Sequence, residues 1–192
     1  NNTDNFYYRT ANFFFFLPMF CDELETYHGD INKLIMNITE GIDRGKAKVD
    51  GGIEKNKTWN NAFIMTGEHS ASNYNSGGGT LNRLIEINSD GKIIQNGSDV
   101  VNVITNNYGF AGKIFVEKIK DVDIKTLNKI YKLEYEELLK CSNTEEKQAL
   151  NMALILLADA LACEFIFTKE KPLKAEEVSE FMFTKDEIDI SQ

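Results

Sequence analysis

Apolar residues recur along this chain with two different periods. Ile31, Leu34, Ile35, Ile38 and Ile42 keep the three-four spacing of one helical face. Asp30 stands where a cap would, and Gly41 and Gly45 bracket the far end, so a helix is predicted over 31–43. Ahead of it, weak helical character over 3–12 leads through the aromatic run 13–16 into 17–21, which reads as a short buried strand. Pro18 suits only the first positions of that strand, because proline cannot donate to a ladder. Asp50-Gly51-Gly52 separates two short alternating runs, 46–49 and 53–57, and predicts a hairpin. Residues 59–66 read as a second buried strand, 70–80 as a polar, glycine-rich loop, and 81–88, alternating inside and outside, as a third strand.

From Ser98 onward the period is helical, with helices predicted over 100–107, 111–120, 124–140, 144–167 and 175–183. Ser142-Asn143-Thr144-Glu145 has capping-box spacing at the head of the fourth. That helix is apolar nearly all round, which predicts that other helices surround it. Strands and helices mix in the first half and helices alone fill the second. The chain therefore divides into 1–95 and 96–192, with the boundary zone near 95–120.

Composition narrows the class. At 192 residues the chain suits one domain or one domain with an appendage, and its 42% hydrophobic and 27% charged content is that of a soluble globular protein. A net charge of -9 excludes a wholesale nucleic-acid coat, so any DNA contact must be local. Cys21, Cys141 and Cys163 are widely spaced, odd in number and set among apolar residues. They read as reduced core thiols of a cytoplasmic protein. His28 and His69 lack zinc-ligand spacing. The most apolar stretch, 149–167, is interrupted by Asn151, Asp159 and Glu164 and reads as a buried helix, with no membrane span expected. Nothing in the sequence signals export.

Four places carry candidate chemistry. Asp22-Glu23 follows the first strand, where in a triphosphatase the aspartate would hold magnesium through its water shell and the glutamate would polarise the attacking water. The same pair also suits a plain strand-to-helix turn. Thr66-Gly67-Glu68 ends the next strand, either as a sensor of the γ-phosphate or as a strand cap. Arg83, soon after Gly77-Gly78-Gly79, is a candidate arginine finger or a surface arginine on an edge strand. The hairpin gathers Arg44, Lys46, Lys48, Lys55 and Lys57 against Asp50 and Glu54, favourable for a phosphate backbone and equally natural in a solvated edge hairpin. Arginine is otherwise scarce: the chain has 18 lysines and three arginines, Arg9, Arg44 and Arg83. Gly41-Ile42-Asp43-Arg44-Gly45-Lys46-Ala47 is not a P-loop, since one spacer residue is missing and alanine replaces the magnesium-binding hydroxyl. Gly109–Ile114 fails on similar grounds.

The order of these elements is more specific than any one of them. Leu17-Pro18-Met19-Phe20-Cys21-Asp22-Glu23-Leu24, then 41–47, Thr58-Trp59-Asn60-Asn61, Thr66-Gly67-Glu68, 77–79, Arg83-Leu84-Ile85-Glu86-Ile87 and Asn107–Gly112 together resemble a phage and mobile-element ATPase family. That family is catalogued as a domain of unknown function and found in primase-helicase-like proteins; the resemblance covers about residues 3–120. It implies an α/β fold, a partial RecA/AAA+-like P-loop ATPase core with a mainly parallel three-layer sheet and a hairpin insertion, followed by an α-helical C-terminal region. It further implies Asp22-Glu23 as the Walker B pair, Thr66 with Glu68 as sensor, Arg83 as the finger acting in trans, and 44–57 as a DNA-gripping hairpin.

The Walker A loop is missing from these residues, so the expectation is the C-terminal part of a helicase-like DNA motor, inactive alone. Mg2+ and ATP would serve the intact protein, with none bound by this part. Single-stranded or forked DNA would be its partner. Without the P-loop strand, open sheet edges should favour self-association. Two other classes stand beside it: a non-catalytic nucleic-acid-binding or oligomer-assembly module, and a metal-dependent hydrolase built on Asp22, Glu23 and Glu68.

Overall fold

The computed structural model describes residues 3–43, 55–73, 77–89 and 91–190. The chain forms two compact bodies, one of Asn1–Leu84 with Glu187–Gln192 and one of Ile85–Asp186.

In the first body, helix α1 (Asp4–Phe14) leads to strand β1 (Met19–Cys21), helix α2 (Ile31–Thr39), strand β2 (Phe63–Met65) and a single helical turn, α3 (Gly78–Leu81). β1 and β2 run parallel, with Met19 opposite Phe63, Phe20 opposite Ile64 and Cys21 opposite Met65. A parallel pair needs a long crossover, and α2 lies within it. The predicted face of α2 is buried at Ile31, Leu34, Ile35 and Ile38, against Tyr7, Tyr8 and Ala11 of α1 and Met19 and Cys21 of β1. Asp30 caps the helix as expected, its carboxylate accepting from the Lys33 N–H at 3.1 Å.

The helix ends at Thr39, short of the predicted residue 43. Gly41 stops it by adopting φ 73, and a Cβ there would lie 2.8 Å from the Trp59 carbonyl oxygen. Ile42 therefore leaves the helical face and forms an antiparallel bridge with Thr58. Trp59 is core rather than strand. Its indole N–H donates to the Ile38 carbonyl at 2.7 Å, one of the orphan acceptors of the last turn of α2, and its ring stacks on Tyr8 at 5.7 Å.

Both strands are shorter than predicted. The third predicted strand, 81–88, is absent among the described residues: Leu81 closes α3 and Asn82-Arg83 turn. The loop predicted over 70–80 contains a short 3-10 turn, Ala71–Asn73, and the start of α3. The predicted hairpin falls largely on 44–54, outside the described residues.

The second body comprises α4 (Gly97–Asn107), α5 (Phe110–Ile119), α6 (Ile124–Cys141), α7 (Glu146–Phe165) and α8 (Ala175–Val178). α9 (Lys185–Ile190) closes the described chain. α6 and α7 pack along one another, with Leu138, Ala149, Met152, Ala153 and Leu156 in a core completed by Ala175, Val178 and Met182. The predicted capping box does not form. Thr144 instead bridges to Thr184 and donates its hydroxyl to the Phe183 carbonyl at 2.9 Å, so α7 begins two residues later than predicted.

Nor is α7 surrounded, since Leu154 is 61% exposed and Leu150 and Ile155 also reach solvent. α7 is long and apolar enough to cross a membrane, but Met152, Ala153, Leu156 and Leu161 are buried within the body, as in a core helix. Cys21 and Cys163 are the buried free thiols expected; Cys141 is exposed, a correction to the core reading of all three.

Candidate functional site

The parallel register determines what meets at the C-terminal ends of β1 and β2. With Cys21 opposite Met65, the next residues of the two strands, Asp22 and Thr66, stand side by side. Thr66 is locked to the β1 end through all of its polar groups. Its N–H donates to the Cys21 carbonyl at 3.1 Å and its carbonyl accepts from the Leu24 N–H at 2.9 Å. Its hydroxyl donates to the Asp22 carboxylate and accepts from the Glu23 N–H, the latter at 3.2 Å. Asp22, Glu23 and Thr66 are all solvent-exposed, so the cluster opens outward.

Glu23 has a left-handed backbone, φ 53 and ψ 71. An L-residue meets a steric cost there, and such residues concentrate where a chain must turn sharply beside a functional group. The turn is fixed on its far side by the Thr26 hydroxyl, which donates to the Glu23 carbonyl at 2.9 Å, and by burial of Leu24. The acidic doublet thus diverges: Asp22 faces Thr66, while Glu23 starts the next turn.

Glu25 is a residue the sequence reading missed. Its carboxylate accepts the backbone N–H groups of both Glu68 and His69, the latter at 3.1 Å, and so clamps the turn that follows Thr66. Its own backbone N–H, with those of His69 and Glu68, holds the carboxyl below the usual glutamate range. Gly67 stands at the clamp, where a Cβ would come within 2.8 Å of the Glu25 carboxylate. A glycine between Thr66 and Glu68 was the available signal, since it marks a close approach by another group.

Glu68 therefore joins the cluster by its main chain. Arg83 sits on the turn after α3 rather than on the expected edge strand, and its guanidinium donates to the Gly79 carbonyl at 2.6 Å. Among the described residues it forms no ion pair with Asp22, Glu23 or Glu68. Lys55 and Lys57 lie at the base of the predicted hairpin, where the Lys57 carbonyl accepts from the Asp43 N–H at 2.8 Å. Arg44, Lys46 and Lys48 lie outside the described residues.

The carboxylate and hydroxyl oxygens of Asp22 and Thr66 are hard ligands, suited to magnesium more than to zinc. Among the described residues no group of three or more His, Cys, Asp or Glu could hold a metal ion. Asp22, Glu23 and Glu68 thus do not gather as the ligand set that a self-sufficient metal-dependent hydrolase needs. A single carboxylate working through water, beside a nucleotide, needs no such set. No family model, curated protein or solved structure matches this chain.

Proposed function

We propose that this chain is the C-terminal portion of a P-loop ATPase, a helicase-like DNA motor of a phage or mobile element that works in the cytoplasm. The observation that carries the reading is the contact between Asp22 and Thr66 across two adjacent parallel strand ends. In a RecA/AAA+-like core, the magnesium carboxylate and the γ-phosphate sensor occupy those positions. Asp22 would hold the water shell of Mg2+, Glu23 would polarise the attacking water, and Thr66 with Glu68 would sense the γ-phosphate. When bound, Mg2+ with ATP supplies charge neutralisation of the phosphates. The phosphate-cradling loop belongs, on this reading, to another part of the same polypeptide. Arg83 would act in trans after leaving the Gly79 carbonyl, and Arg44, Lys46, Lys48, Lys55 and Lys57 would contact DNA.

The test is the longer polypeptide. Its reading frame should encode Gly-x-x-x-x-Gly-Lys-Ser/Thr ahead of this chain, and its ATPase rate should fall by roughly a hundredfold or more in Glu23→Gln, the scale of a lost general base. Binding to single-stranded DNA should weaken with salt and be lost in a Lys46→Glu, Lys48→Glu double variant. A reading frame without that loop, or a Glu23→Gln protein of unchanged rate, sinks the proposal.

A further inference from the structure

Lysines gather on one side of α6. Lys125, Lys129 and Lys132 follow one another at i+4 and i+3, all exposed, with Asn128 between them. Tyr131, Tyr135 and Leu138 belong to the opposite side and pack in the core of the second body. The arrangement works against the helix itself. Like charges at those spacings destabilise a helix. Past its cap residue Asp123, the first turn holds Lys125 and no acid, the reverse of what the helix dipole favours. Among the described residues Lys125 and Lys129 form no ion pair, and Lys132 reaches Glu136 only at 3.9 Å. The surrounding stretch, 113–132, carries six lysines against Glu117, Asp121 and Asp123, in a chain of net charge -9. A face built for helix stability would mix the two signs, whereas this one concentrates a repulsion that a bound polyanion would relieve.

We propose that this face of α6 binds the phosphate backbone of duplex nucleic acid, without regard to base sequence. At about 1.5 Å per residue, Lys125 to Lys132 span roughly 10 Å, the axial rise of about three phosphates on one strand. Other polyanions fit less well. A single strand is held in part by stacking its bases on aromatic rings, but the aromatics of α6, Tyr131 and Tyr135, are turned to the core. A membrane surface takes an apolar flank beside the cations, and the lysine strip holds only Asn128 besides. A second copy laid on by the same face would meet like charge, because the one acid in line with the strip, Glu136, already lies against Lys132. Nothing in the contact depends on nucleotide hydrolysis, so it survives failure of the ATPase reading.

The experiment titrates a short fluorescent DNA duplex with the chain, by anisotropy at increasing salt. Saturable binding is expected, tighter than to either separated strand, because the duplex has the higher charge density. Lys125→Gln, Lys129→Gln and Lys132→Gln together should weaken it roughly tenfold or more at about 50 mM salt, and flatten the slope of log affinity on log salt by about 0.9 per lysine. The corresponding triple arginine variant should bind as the wild type does. Lys140→Gln, outside the strip and already paired with Glu137 at 2.7 Å, should change little. The triple glutamine variant loses repulsion, so its melting temperature should be unchanged or higher, and lost binding cannot then be mistaken for lost folding. Repeating the series in the Lys46→Glu, Lys48→Glu background separates this face from the hairpin contact of the proposed function. No duplex binding at low salt, an unchanged salt slope in the glutamine variant, or tighter binding to single strands would overturn the proposal. So would a wild-type dimer that the glutamine variant dissociates.

Discussion

Thr66 shows how one side chain can tie two strand ends together. Replacing it by valine removes the hydroxyl that bridges Asp22 and the Glu23 N–H, and should cost about 1 kcal/mol in urea unfolding, with Thr66→Ser restoring most of it. Glu23 behaves in the opposite sense. Because its backbone is left-handed at φ 53, Glu23→Gly should leave stability unchanged or raise it by about 0.5 kcal/mol, whereas glycine elsewhere on an exposed turn lowers it. Gly41→Ala must place a methyl 2.8 Å from the Trp59 carbonyl at φ 73, and a loss above about 1 kcal/mol is expected. Trp59 is the only tryptophan of the chain, so its fluorescence reports each of these transitions.

At the scale of elements, the β1-to-β2 connection is stabilised by the Glu25 clamp, and the clamp depends on pH. The Glu25 carboxyl titrates below its ordinary range in the folded chain, so its contribution is present above the unfolded pKa and lost as pH falls through the lowered folded value. The amide shifts of Glu68 and His69 should follow that low titration by NMR, and Glu25→Gln should flatten it. The same elements show what the sequence makes legible. The buried stripe of α2, its Asp30 cap, the positions of β1 and β2 and the run of C-terminal helices follow from periodicity, a property of consecutive residues. The apolar spacing predicts too long an α2 because Ile42 continues it past Gly41, whose left-handed conformation ends the helix. No strand forms over 81–88 among the described residues, because alternation signals only that a strand would be amphipathic, not that a neighbour exists to pair with it. The capping box at 142–145 gave way to a tertiary partner, Phe183, invisible to local pattern. Within the site, the Asp22-Thr66 contact follows from the parallel sheet that the resemblance implies, while Gly67 marks a close approach without naming Glu25 as the group that makes it.

For the whole molecule, acidic charge and exposed apolar side chains act against each other. Leu150, Leu154 and Ile155 on α7 reach solvent, as do Phe13, Phe16 and Leu17. Repulsion within a chain of net charge -9 opposes association at neutral pH, and that protection disappears near the pI of about 4.8. Light scattering should rise to a maximum around that pH. Leu154→Lys should lower it while changing unfolding free energy by less than about 0.5 kcal/mol, because the side chain is 61% exposed.

The partners Asp22 and Thr66 are separated by 44 positions along the chain. Closing so long a loop costs entropy before any contact rewards it, whereas α2 can nucleate from neighbours. Chain assembly should therefore be ordered in time, with α2 amides protected early in a quenched-flow exchange pulse and the Thr66 amide among the last. Ribosomal synthesis imposes the same sequence of events: a nascent polypeptide halted before residue 66 would already hold its acidic doublet, but with nothing yet to orient it.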